Sequence, residues 1–167
     1  MSGPSGPLAD QVCLALIAEA PTHGWALVKL LRRDGELGRI WSLSRGLTYR
    51  SIDRLVDMGT VTRRDGGRRA TLEATPVGRR TARLWLGEPV EHVRDLRIEF
   101  LLKLQLHIRA DLDPAPLVER QRVLLGPALH ALTTGPADDP VGLWRQESAI
   151  AAQRFLDRID ESVGSTT

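Results

Sequence analysis

The 167-residue chain is 42% hydrophobic and 26% charged, the balance of a folded globular protein, which excludes an intrinsically disordered one. A single cysteine, Cys13, excludes an internal disulfide and a thiolate-rich metal site. Net charge is only +2, yet residues 1–87 carry 14 Lys and Arg against 8 Asp and Glu, net +6, and residues 88–167 carry 9 against 13, net −4. A basic half joined to an acidic half leads one to expect a polyanionic partner for the first half alone.

Residues 1–7 are rich in Gly, Ser and Pro and are expected to be a flexible end, as are 164–167. MSGPSGPLAD lacks the basic start and apolar core of a signal peptide, and no apolar run reaches the length of a membrane span, so a cytoplasmic protein is expected. Leu8 to Ala20 reads as a helix with Leu8, Val12, Leu16 and Ile17 inward; Cys13 lies in its apolar run as a buried, inert thiol. Pro21-Thr22-His23-Gly24 breaks it. Trp25 to Arg33 forms a second short helix. Ser42 or Ser44 caps a third that runs to about Met58, with Gly59 as its stop.

Val61–Arg64 and Arg69–Ala74 alternate as strands, joined by a tight turn at Asp65-Gly66-Gly67-Arg68. Thr75-Pro76 opens a fourth helix to about Leu86. Gly87 to Pro89 marks a boundary. Beyond it come a long helix over Val90–Ala110, apolar on most sides from Ile98 to Ile108, a helix from Asp113-Pro114 to about Leu132, and a last one over 141–163. The predicted fold is mainly α: a winged helix-turn-helix domain with a two-stranded wing over 8–87, and a C-terminal helical dimerisation domain over 88–163. So apolar a second half needs cover from a second copy, and a homodimer is expected.

A helix followed by a basic hairpin points to double-stranded DNA. At helical pitch, Tyr49, Ile52, Leu55 and Val56 fall on a packing side of the third helix, and Arg50, Arg54 and Asp57 fall opposite. Arg50 and Arg54, one turn apart, are candidates for guanine readout. Ser44, Arg45 and Thr48 sit at the helix start, where free N–H groups favour phosphate. Arg63, Arg64, Arg68 and Arg69 on the wing suit phosphate or the minor groove. Tyr49 has two roles open: a ring in the core, or a hydroxyl on a phosphate. Against the whole set stands the reading that these arginines are only a solvated face.

Three tracts carry a family resemblance. LALIAEAPTHGWALVKLL at 14–31, SRGLTYRSIDRLVDMGTVTR at 44–63 and LEATPVGRRTARLWL at 72–86 resemble, in order and spacing, the motifs of PadR-like transcriptional regulators. Trp25 stands where Tyr is usual, and Leu47-Thr48 inverts the usual Thr-Leu order. VRDLRIEFLLKLQL at 93–106 is similar to the dimerising part of longer members. The resemblance implies a homodimeric repressor on a palindromic promoter element, responsive to small aromatic or amphipathic compounds.

Trp85, Phe100, Trp144 and Phe155 are the candidates to line such an effector's cavity; core or interface packing is the competing role. His23, His92, His107 and His130 lack metal-ligand spacing and are expected at surface or capping positions, so neither metal nor cofactor is expected. No Walker loop, GxSxG, HExxH or CxxC is present, which argues against an enzyme. A winged-helix protein-interaction adaptor and a MarR-like regulator are the alternatives.

Overall fold

The computed structural model describes residues 7–64 and 70–164. The elements run α1 (Leu8–Glu19), β1 (Thr22–His23), α2 (Gly24–Leu31), α3 (Arg45–Asp57), β2 (Val61–Arg64), β3 (Thr71–Ala74), α4 (Pro76–Gly87), a 3-10 turn (Val93–Arg97), α5 (Glu99–Arg109), α6 (Ala115–Thr134) and α7 (Pro140–Gly164). Apart from Pro7 and Gly164, the expected flexible ends fall outside the described residues, as do the turn Asp65–Arg68 and Arg69.

Local chemistry sets the helix ends. Ser44 caps α3, its Oγ accepting from Leu47 N at 3.3 Å, which satisfies one orphan donor of the first turn; Ser42 is not the cap. Gly59 closes the helix at φ +70°, a left-handed conformation that glycine adopts without a Cβ clash. Thr75 caps α4 by accepting from Gly78 N at 3.1 Å. Gly78 also lets α4 pass against the chain at Thr60, whose carbonyl oxygen lies 2.0 Å from where a Cβ would stand.

The sheet differs from the expected two-stranded wing. It has three strands in the order β1-β3-β2, all antiparallel. Thr22 and His23, read from the sequence as a helix break, pair with Leu72 and Thr71, and His23 Nδ1 lies 3.3 Å from Ala70 O. A two-residue strand has no alternation to read, so only the partner strand reveals it.

The second departure is the expected long helix over Val90–Ala110. A 3-10 turn occupies Val93–Arg97, and α5 begins only at Glu99. The wholly buried side chain of Gln121, on α6, pairs with both backbone polar groups of Val90: Oε1 accepts from Val90 N at 2.8 Å and Nε2 donates to Val90 O at 2.9 Å. Backbone groups satisfied from outside in this way have no need of helical partners.

α1 is buried on nearly all sides from Asp10 to Ile17, at the centre of a core with Leu27, Leu31, Ile52, Leu55, Leu72 and Trp85. α5 serves two cores. Leu102 and Leu106 join this first one, and Phe100 and Leu104 join a second with Leu117, Val118, Leu125, Leu129, Ala149 and Leu156. Lys103, 1% exposed, is held there by its partners: its Nζ meets Glu88 O at 2.7 Å and Glu99 Oε1 at 2.8 Å and lies 5.0 Å from the centroid of the Trp85 ring. Arg109 ends α5 by bridging Glu19 of α1 and Glu36 of the segment between α2 and α3. Burial pushes the Glu19 carboxyl up, and the Arg109 contact opposes that.

Candidate nucleic-acid interface

α3 meets the core along Thr48, Ser51, Ile52 and Leu55, all buried. Ile52 and Leu55 are where the sequence puts them, with Tyr49 and Val56 partly buried at the edge of the same core. Tyr49 packs over Gly24: a Cβ there would stand 2.8 Å from the ring. This contact locks the start of α2 against α3 and requires the absence of a side chain at residue 24. The Arg45 guanidinium lies 5.8 Å from the centroid of the same ring, within reach of a cation–π contact.

The site residues separate into two groups. Ser44, Arg45 and Arg50 are exposed along the start and outer side of α3, together with Gly46, Asp53 and Asp57. Arg50 makes no ion pair with any described residue. Arg63 and Arg64 lie beside them on β2, each with an acidic neighbour: Arg63 binds Asp53 of α3, and Arg64 Nε sits 2.7 Å from Glu73 Oε2. Both pairs are at the surface, where an ion pair contributes between 0 and about 1 kcal/mol. A phosphate can replace either carboxylate at small cost. Arg68 and Arg69 lie outside the described residues.

Two expected contact residues are turned elsewhere. Thr48 is wholly buried, with its Oγ1 donating to Ser44 O at 3.0 Å. Arg54 reaches back to α1 and grips Asp10 bidentately, Nε to Oδ2 at 2.9 Å and Nη2 to Oδ1 at 2.6 Å, with Ser51 Oγ 3.3 Å from Nη2. The hydrogen bond to Asp10 holds the Arg54 guanidinium above its ordinary pKa. The physical reason is Asp10 itself. It is 5% exposed, and a carboxylate taken out of water must be paired. The signal was in the sequence: an acid in a helix apolar on most faces needs a partner from a neighbouring helix.

Beneath this pair lies Cys13, wholly buried, its thiol pushed up to about 12 by burial first and by Asp10 second. It is therefore protonated and a poor nucleophile at neutral pH.

The four aromatic candidates also separate. Trp85 is buried, its Nε1 donating to Glu99 Oε1 at 3.1 Å. Phe100 is wholly buried edge-on against Phe155, centroids 6.4 Å apart. Trp144 is 74% exposed. Trp144 and Phe155 line a groove of about 870 Å³ between the 3-10 turn, α6 and α7, with Leu96, Leu101 and Leu125 among its walls and Arg94, Arg97 and Arg145 at its edge. Trp85 and Phe100 are not among its lining residues, because their rings are already enclosed by other partners. His107 is buried rather than at the surface, Nδ1 lying 2.8 Å from Lys103 O; His92 and His130 are exposed.

The order α1-β1-α2-α3-β2-β3-α4, with a helix presented beside a basic strand, defines a winged helix-turn-helix. Among solved structures the chain is similar to Bacillus subtilis PadR in complex with operator DNA, at 19% identity over 94% of this chain and 99% of that one, TM-score 0.45. It is also similar to that protein in complex with p-coumaric acid, at 18% identity over 96% and 99%, TM-score 0.43. A further structure of the same protein matches at 18% identity over 97% and 99%, TM-score 0.43. No family model and no curated protein matches the chain. No helix among the described residues is long and apolar enough to cross a membrane.

Proposed function

We propose that the protein is a PadR-like, sequence-specific DNA-binding transcriptional regulator of the bacterial cytoplasm, without enzymatic activity. It acts as a homodimeric repressor on a palindromic promoter element and is released by a small aromatic or amphipathic effector. The observation that carries the reading is the exposed start of α3, with Arg45 and Arg50, beside Arg63 and Arg64 of β2. A helix whose opposite side is locked into a core can enter a major groove as a rigid body, and Arg50 can pair bidentately with guanine. The wing arginines supply sequence-independent attraction to phosphate.

The division of labour follows the charge. Residues 8–87, the basic part, read DNA. Residues 88–163 dimerise, and they leave Val123, Leu124, Val141, Leu143 and Trp144 exposed, an amount of apolar surface that favours a second copy as cover. A two-fold dimer would set two α3 helices roughly 34 Å apart, one turn of duplex. The apolar groove with its arginine edge suits a compound with a flat apolar body and a polar or anionic end.

Binding to the protein's own upstream DNA and to random DNA, followed over a salt series, tests the reading. A regulator shows one preferred site and an affinity that falls steeply with salt. Weak, salt-insensitive binding to both would favour a winged-helix adaptor for another protein. Light scattering at micromolar concentration tests the dimer, and a monomer there refutes it.

A further inference from the structure

The first turn of α3 is inside out. Thr48, polar, is wholly buried, while Leu47, apolar, is 45% exposed. Exchanging the two would place leucine in the core and threonine in water, which is the arrangement that burial energy favours on an amphipathic helix. The buried threonine hydroxyl has its hydrogen bond to Ser44 O, within the first turn of the same helix. Single exposed leucines are ordinary on protein surfaces, but three neighbours set this one apart.

Its backbone N–H is tied to the Ser44 cap, which holds the turn in place. Gly46, next to it, is exposed and has open space where a Cβ would stand, so the helix start can approach a partner closely. Arg50, three residues on, is exposed and lies one turn along the same surface. A leucine is the only large apolar side chain that α3 exposes.

In the major groove the apolar feature of the bases is the 5-methyl group of thymine, and guanine offers the acceptors that suit arginine. We propose that Leu47 is a specificity-determining residue that packs on the 5-methyl group of a thymine close to the guanine read by Arg50. Thr48, inside the core, takes no part. The inference rests on the DNA-reading role proposed above and adds the chemistry of one base position to it.

The test begins with selection of a binding site from a random duplex pool by the full-length protein. Each thymine of the selected half-site is then replaced singly by deoxyuridine, which removes the methyl group and leaves the hydrogen-bonding edge intact. Wild type should lose about 3- to 5-fold in affinity at one such position, the size of one buried methyl group. Leu47→Ala should show no loss there, and its melting temperature should match wild type because the side chain is half out of the core.

A selected site with no deoxyuridine-sensitive position, or a loss that persists undiminished in Leu47→Ala, overturns the assignment while leaving DNA reading intact. Failure to select any site overturns both. Leu47→Ser supplies a second check: it should bind the thymine and deoxyuridine sites equally, and discrimination as strong as wild type would contradict the proposal.

Discussion

The two halves of the chain are built from similar apolar residues yet close differently. In the winged-helix half the central helix α1 is buried almost all round, and two of the buried polar groups of this half have named partners: Asp10 with Arg54 and Thr60 Oγ1 with Leu55 O at 2.9 Å. In the C-terminal half α6 and α7 pack on each other along Leu125, Leu129, Ala149 and Leu156, but their outer sides leave Val123, Val141, Leu143 and Trp144 in solvent. The first half closes its core with help from Leu102 and Leu106 of α5 and carries the excess of basic residues. The second leaves apolar surface that a second copy would cover if the proposed dimer forms.

The largest expected effect concerns how tightly the first half is sealed. Cys13 should react with a disulfide reagent such as Ellman's on the order of a thousandfold more slowly in the native protein than in denaturant, because only the opened chain exposes a thiolate. Rapid labelling of the native protein would show that the core around α1 opens readily. The same thiol predicts a pH effect. Its folded pKa of about 12 exceeds the usual 9.0, so its contribution to stability is complete below pH 9 and is lost as pH rises towards 12.

Next comes Phe100→Ala, which empties the centre of the second core. It should cost about 3–5 kcal/mol and lower the melting temperature by roughly 10 °C. A cost under about 1 kcal/mol would mean that the second half is loosely packed even where it looks closed.

Arg50 and Arg54 differ within the first half: one faces solvent and the other pairs with Asp10. Arg50→Ala should weaken binding to a selected site about 10- to 100-fold with an unchanged melting temperature. Arg54→Ala should lower the melting temperature, since it strands the buried Asp10 carboxylate, and Asp10→Ala made together with it should restore part of the loss. Equal melting temperatures for the two single variants would show that the Asp10 contact is not structural.

The smallest effect is expected at Trp144→Ser. Stability of the subunit should move by no more than about 0.5 kcal/mol, while the dimer, followed by light scattering on dilution, should weaken. An unchanged dissociation profile would remove Trp144 from the interface.

Much of this architecture was legible in the chain. The cap at Ser44, the stop at Gly59, the proline start of α4 and the alternation of β2 and β3 are local signals, since each depends on a few neighbouring backbone groups. The packing residues Ile52 and Leu55 follow from periodicity alone. The uneven distribution of charge needed only counting.

What tertiary structure decided was where long or short polar groups turn. Helical pitch places the Cα of Arg54 away from the centre of the packing stripe, but a guanidinium on a long stem reaches Asp10 on another helix, and the need to neutralise a buried carboxylate chose that partner. Thr48 is inward because α1 and α2 bury its side of α3, which no residue near it announces. The strand β1 exists only because β3 offers it hydrogen bonds, and the break before α5 exists because Gln121, thirty-one residues away, satisfies the backbone groups of Val90. Sequence determines what the backbone does with its neighbours. Contacts between distant segments determine which charges remain for a partner, because a buried charge or peptide must find its match wherever the fold supplies one.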